Sequence, residues 1–271
     1  MPLPPILPPT PATIAALALV ALAAGTIDAI AGGGGLLTVP ALLAAGLPPH
    51  LALGTNKGQA VFGSGSSLFH FARAGLIDPA RAAVGFPAGL VGALLGAALV
   101  LVIPPATLRP VVLLLLGGAA AFIGLRRGPP APRGPAGGAT AIGPAAAAPL
   151  ARERWVTGLV GVAIGAYDGF FGPGTGTFLI VAFVGLLGDG LARASAAAKV
   201  VNFASNLAAL GLFAWRGLVV WPIALPMAAG QLAGGWVGAH LAIRRGDGLV
   251  RRVAVAVSLA LAAKLAWDLR G

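Results

Sequence analysis

Two aspartates lie within apolar stretches of this sequence, and each precedes a glycine-rich break by the same distance. Asp28 is followed four residues later by Gly32, and Asp168 by Gly172, so the two copies are 140 positions apart. A charge in hydrocarbon is costly unless it is paired or hydrated, so an ionisable residue there marks a functional position. We therefore predict that Asp28 and Asp168 relay protons or cations and couple transport to an ion gradient. The structural alternative is that they cap broken helix ends or pair with lysines.

The glycine-rich breaks predict interrupted membrane helices. Irregular backbone is tolerated within a bilayer only where it faces protein or water, and paired breaks in two halves point to a transporter's binding site. Backbone N–H groups at the start of the following short helix attract anions. The predicted substrate contacts are Gly32, Gly33, Gly34 and Gly35 in the first copy, and Gly172, Gly174, Thr175 and Gly176 in the second. Alternatively, the glycines only permit a tight hairpin tip.

Two lysines in the body of the sequence occupy equivalent positions, and amides surround both. Lys57 follows Asn56, and Lys199 precedes Asn202 and Asn206 by about one and two helical turns. An ammonium at a cavity attracts an anion as a point charge, and the amides can hydrogen-bond its oxygens. We predict that these five residues bind substrate. The alternative is that the lysines neutralise the two aspartates or extend to the membrane interface.

The composition is that of an integral membrane protein. Of 271 residues, 58% are hydrophobic and 9% are charged, and the mean hydropathy is +0.94. A soluble domain has about 25% charged residues. The net charge of +11 is explained by arginine-rich cytoplasmic loops, so no nucleic-acid partner is expected. The sequence has no cysteine and its three histidines are scattered, so neither an enzyme site nor a metal or other cofactor is predicted.

The sequence also contains an internal repeat. An offset of 142 aligns Lys57 with Lys199, and it aligns the glycine pair at 92 and 96 with the pair at 234 and 238, for which close helix packing is predicted. We predict an all-α polytopic membrane protein of about eight helical segments, in two inverted repeats with glycine-broken helical hairpins. The first repeat covers 11–125 and the second 155–269, with the last two helices near 218–242 and 250–269. A Pro/Gly/Ala/Arg-rich cytoplasmic linker at 126–154 joins them.

The distribution of arginine and lysine predicts the orientation. If each glycine break is the tip of a hairpin, the halves are inverted, and twelve arginines lie on the linker side against four basic residues on the other. An even number of crossings in each half reduces the bias to ten against six. The positive-inside rule therefore favours inverted repeats with a cytoplasmic linker and both termini outside.

These motifs resemble those of the TauE/SafE sulfite-exporter family, also called TSUP, and in particular its YfcA-like branch. The similar runs are 27–42, 52–57 with 75–78, 167–176 and 198–206, and the resemblance covers about residues 14–269. It implies a multi-pass protein of the bacterial inner membrane that carries small anions such as sulfite, sulfoacetate or related organosulfur oxyanions. Proton coupling is implied, with the lipid bilayer and a small anion as partners, and a homo-oligomer is possible.

Two other classes of protein fit the same residues. An anion channel would present the same donors but conduct without saturable counterflow. A membrane scaffold or assembly factor would use the glycine tips only for packing. An intramembrane enzyme is not expected, because His50, His70 and His240 have no evident catalytic partner and the metalloprotease motif HExxH is missing.

Overall fold

The computed structural model describes residues 10–125 and 151–268, and within them the chain forms helices and no strand. The all-α fold class is confirmed. The helices are α1 (Pro11–Ala31), α2 (Gly35–Ala44), α3 (Pro49–Arg73), α4 (Pro79–Val102), α5 (Pro105–Leu125), α6 (Ala151–Phe170), α7 (Thr175–Leu187), α8 (Leu191–Trp215) and α9 (Trp221–Asp268).

Four stretches among the described residues are long and apolar enough to cross a membrane: Pro11–Ala31, Pro79–Val102, Pro105–Ile123 and Leu191–Trp215. Two apolar helices are too short to do so, and these are α2 and α7, which directly follow the two glycine breaks. Their length matches that of a half-membrane segment, as the sequence predicts.

Each glycine break reverses the direction of the chain. The first half of α1 and the end of α2 share one apolar cluster, in which Leu17 and Ala21 meet Leu42 and Leu47. In the second repeat, Arg152 at the start of α6 donates to the carbonyl of Leu186 near the end of α7. Both helix pairs are therefore hairpins, with the glycine breaks at their tips.

The two repeats correspond closely in their helix bounds. Helices α3 and α8 have 25 residues each, and both ends are offset by 142. The loops on either side of them contain glycines with positive φ at the same offset, Gly46 with Gly188 and Gly75 with Gly217. An L-residue is disfavoured at these angles, so the four glycines fix equivalent turns.

Helices α3 and α8 run in opposite directions. The start of α3 meets the end of α8, where a Cβ on Gly54 would overlap the carbonyl of Leu218. At the other end, Phe71 of α3 and Leu191 of α8 belong to the same apolar cluster. Equivalent helices that cross in opposite directions are the arrangement expected of inverted repeats.

Glycines hold the repeats together along two equivalent seams. Gly92 and Gly96 of α4 pack on α6, and a Cβ on either would overlap the backbone of Val162 or Ala166. Gly234 and Gly238 of α9 pack in the same way on α1. This confirms the predicted close contacts, since small residues let helix backbones approach within a membrane. Each seam joins helices of different repeats, so the two repeats are interleaved.

Helix α9 differs from the prediction. Helices at 218–242 and 250–269 are expected from the sequence, but the structure has a single helix of 48 residues. The equivalent position in the first repeat contains Pro104 and Pro105, which end α4 and begin α5. The second repeat has Gly246 and Asp247 there and no proline, so the helix continues. The linker residues 126–150 lie outside the described residues, and α6 begins at Ala151.

Candidate functional site

The tips of the two hairpins meet inside the protein. A Cβ on Gly32 would overlap the backbone of Gly176, so only glycine fits at this contact. The backbone N–H of Thr177 donates to the carbonyl of Gly32 at 2.7 Å, and its hydroxyl reaches the carbonyls of Ala31 and Gly32 at 2.9 and 2.7 Å. The first turn of α7 thus satisfies the carbonyls left free at the end of α1.

Beside these tips, the lysine of each repeat forms an ion pair with the aspartate of the other repeat. The Lys57 ammonium lies 2.8 Å from the Asp168 carboxylate, and the Lys199 ammonium lies 2.6 Å from that of Asp28. Both lysine side chains are buried, with 2% and 0% of their surface exposed. The structural alternative considered for the lysines, neutralisation of the aspartates, is therefore present in this conformation.

The two aspartates have different surroundings. Asp168 is 3% exposed and accepts hydrogen bonds from Lys57, from the hydroxyl of Thr175 at 2.9 Å and from the hydroxyl of Ser205. Asp28 is 20% exposed; its carboxylate accepts from Lys199 and, at 3.4 Å, from the backbone N–H of Gly34. Asp168 therefore has three side-chain donors, whereas Asp28 has one lysine and one longer backbone contact.

A small polar cavity opens between these groups. It has about 350 Å³ of empty space, part of it open to solvent. Its walls come from both hairpin tips and from α3, α8 and α9. The lining residues are Asp28, Gly34, Gly35, Thr38, Asn56, Lys57, Gln59, Ala60, Asp168, Gly172, Asn202, Asn206 and Gln231.

Amides form a hydrogen-bonded network on the cavity wall. The Asn56 carbonyl oxygen accepts from the Thr38 hydroxyl at 2.6 Å and from the Gln59 amide at 2.8 Å. On α8, the Asn206 carbonyl oxygen accepts from Lys57 at 3.0 Å, and its amide donates to Asn202. The Gln59 carbonyl oxygen is buried and has no hydrogen-bond partner. A ligand that carries a proton donor would satisfy it.

The structure brings most of the predicted site residues to this cavity. The lining includes both aspartates, Gly34, Gly35, Asn56, Lys57, Gly172, Asn202 and Asn206. The other six do not line it, and these are Gly32, Gly33, Gly174, Thr175, Gly176 and Lys199. Thr175 contacts Asp168, Lys199 contacts Asp28, and Gly32 and Gly176 form the contact between the tips.

Thr38 and Gln231 are among the cavity residues that were not identified from the sequence. Thr38 lies on α2 and hydrogen-bonds Asn56, and Gln231 lies on α9 and is 4% exposed. The Gln231 side chain inserts between α1 and α3, where a Cβ on Gly25 or Gly63 would overlap its amide oxygen. The available signal was an amide in an otherwise apolar helix, which requires a buried partner or a cavity.

The central charges balance one another. Two lysines and two aspartates give a net charge of zero, so an added anion leaves the site with an excess negative charge. Protonation of one carboxylate removes that excess. The arrangement can therefore accept an anion and a proton together without a net change in buried charge.

Comparison with known proteins shows the family of this chain. The model of the family described as sulfite exporter TauE/SafE matches residues 17–265, nearly the whole chain. The chain belongs to the TauE/SafE family. The resemblance derived from the sequence motifs is thereby confirmed, and this is a family of membrane transporters.

Curated relatives of the family align along most of their length. A probable membrane transporter protein from Sinorhizobium, ORF9, is 39% identical over 90% of this chain and 89% of its own. The probable membrane transporter YfcA of Escherichia coli K12 is 38% identical over 92% of this chain and 87% of its own. A probable membrane transporter from Haemophilus influenzae is 36% identical over 90% and 91%. No solved structure matches the chain.

Proposed function

We propose that this TauE/SafE protein is a secondary transporter of small anions, such as sulfite, sulfoacetate or related organosulfur oxyanions, in the bacterial inner membrane. The observation that carries the proposal is a set of two ion pairs, each of which joins the two repeats. Lys57 pairs with Asp168 and Lys199 with Asp28, beside a polar cavity where the tips of the two hairpins meet. The family model's description, sulfite exporter, supports this class of substrate.

Charge balance supports coupling to protons. Protonation of Asp28 breaks its ion pair with Lys199 and leaves the cavity with one excess positive charge, which the anion neutralises. We assign the proton to Asp28 because its carboxylate is more exposed and has fewer side-chain donors than that of Asp168, which Lys57, Thr175 and Ser205 contact. One proton and one anion would then move together, and the ion pair would re-form when both have left.

The interleaved seams define which parts would move. Helix α9 packs closely on α1, and α4 packs closely on α6. If each of these helix pairs moves as a unit, each unit contains helices of both repeats. Alternating access in such folds comes from rocking of one unit against another around a fixed site. Here the unit containing α1 and α9 would move relative to that containing α4 and α6, and Gly32 and Gly176 would separate.

The test is flux of sulfite and sulfoacetate in proteoliposomes, with and without an imposed pH gradient. We expect saturable uptake accelerated by the gradient. The variant Asp28→Asn is expected to keep counterflow of the anion and lose the response to the gradient. The matched variant Asp168→Asn is expected to weaken both, because Lys57 then loses its carboxylate.

Two results would contradict the proposal. Gradient-driven flux that is unchanged in Asp28→Asn would remove the proton role from Asp28. No flux of either anion by folded, inserted protein would reject these substrates, and flux without saturable counterflow would indicate a channel.

A further inference from the structure

A second cluster of charged residues lies away from the central cavity, where the loop between α3 and α4 meets the loop between α7 and α8. Arg81 donates through one terminal nitrogen to both carboxylate oxygens of Asp189, at 3.0 and 2.8 Å. Arg193 lies 3.3 Å from Asp78 and 3.9 Å from Asp189. The four side chains carry two charges of each sign.

The guanidinium of Arg81 is buried but only partly hydrogen-bonded. Arg81 is 3% exposed, and its Nε and Nη2 atoms have no hydrogen-bond partner. These two N–H groups form the edge of the guanidinium that binds two oxygens of one oxyanion side by side. The guanidinium carbon lies 5.2 Å from the centre of the Phe183 ring, which helps to hold the plane of the group.

A separate cavity lies against this guanidinium, between α4, α6 and α8, and its empty space, which includes space open to solvent, is about 310 Å³. Thr157 of α6 also lines it, is 2% exposed, and has a hydroxyl without a partner. The charged residues on its wall are Arg81, Arg193 and Asp78, and Asp189, which pairs with Arg81, does not line it. Unpaired buried donors are costly, so they mark a place where a ligand supplies the acceptors.

The equivalent helix junction, which the internal repeat places at the other end of the molecule, shows that the fold does not require these charges. At the offset of 142, the counterpart of Arg81 is Ile223 and that of Asp189 is Leu47; at the offset of 140, the counterpart of Thr157 is Leu17. These three residues pack together in one buried apolar cluster. The same helix junction is therefore built from aliphatic side chains at one end and from polar donors at the other.

We propose that Arg81 and Thr157 form a second oxyanion site, on the linker side of the protein, that the transported anion occupies on its way to or from the central cavity. The inference rests on the proposed anion transport. Two adjacent N–H groups and a hydroxyl suit a ligand with several oxygens, such as sulfite or a sulfonate, better than a halide. The placement on the linker side follows from Arg152, whose contact with Leu186 puts the start of α6 next to this cluster.

Equilibrium binding to purified protein in nanodiscs tests this site without relying on transport. Sulfite and sulfoacetate are titrated by calorimetry, and two sites per chain are expected. Thr157→Val is expected to weaken binding at one site about threefold to tenfold, because it removes the hydroxyl and with it a single hydrogen bond to the anion. Thr157→Ser retains the hydroxyl and is expected to keep the affinity of that site. Arg81→Lys keeps the charge opposite Asp189 and loses the two-donor edge, so it is expected to weaken the same site about tenfold or more.

The outcomes separate the two proposals. A single site that neither Thr157→Val nor Arg81→Lys affects would overturn this inference and leave the proposed function standing. No binding of either anion would overturn the proposed function and this inference with it. Thr157→Val is close to isosteric, so its result stands even if Arg81→Lys fails to fold.

Discussion

Lys57 of the first repeat donates to Asp168 of the second at 2.8 Å, across 111 residues of sequence. Its counterpart Lys199 makes the equivalent bond in the opposite direction, to Asp28. Each repeat therefore supplies the countercharge for the other. Because both lysines are buried, neither repeat can hold its charges within the protein without the other.

The first prediction concerns the specificity of these ion pairs. Lys57→Met leaves the Asp168 carboxylate buried without its cation, and we expect a loss of stability of about 3–5 kcal/mol. Adding Asp168→Asn removes the orphaned charge, so the double variant is expected to regain most of the melting temperature. Thermal unfolding in detergent, followed by tryptophan fluorescence, measures both.

Because each lysine pairs with the aspartate of the other repeat, a second double variant serves as a control for this experiment. Lys57→Met combined with Asp28→Asn leaves Asp168 and Lys199 both unpaired, and it is expected to melt below either single variant. Rescue of Lys57→Met by Asp28→Asn would show that each lysine pairs within its own repeat.

The second prediction concerns the contact between the hairpin tips. Gly32 and Gly46 both have positive φ, 77° and 89°, but a Cβ on Gly46 meets no atom within 4 Å, whereas one on Gly32 overlaps Gly176. Gly46→Ala is expected to cost about 1–2 kcal/mol from backbone strain alone. Gly32→Ala is expected to lower the melting temperature further and to abolish anion flux. Equal effects of the two substitutions would show that the positive φ of Gly32, and not its contact with Gly176, is the reason that glycine is required at position 32.

The third prediction concerns orientation in the membrane. Arg73 and Trp215 are equivalent residues at the ends of α3 and α8, both exposed, and inversion puts them on opposite sides of the membrane. The protein has no cysteine, so Arg73→Cys and Trp215→Cys can be labelled without background. A membrane-impermeant maleimide is expected to label Trp215→Cys in intact spheroplasts and Arg73→Cys only after lysis. Labelling of both in intact spheroplasts would rule out the inverted orientation.

The sequence predicted the parts of the fold that depend on local chemistry. Glycine at 32–35 and 172–176 predicts helix breaks because few other residues permit them, and the spacing of Lys57 and Lys199 reveals the repeat. Which lysine meets which aspartate depends on how the repeats interleave, and no local pattern records that. The sequence does not predict the pair of Arg81 and Asp189. Their counterparts, Ile223 and Leu47, are apolar, so the pair is not a repeated feature of the sequence.

The seams and the exchanged ion pairs also constrain how such a protein can arise. Among the described residues, each buried ion pair and each of the two glycine seams joins one repeat to a copy that runs the other way. A single repeat of this kind would be stable only beside an identical chain inserted upside down, which requires a polypeptide that enters the membrane in both orientations. Fusing the two copies with a linker fixes one copy in each orientation, and the two can then diverge, as the ionic and aliphatic ends of this molecule have done.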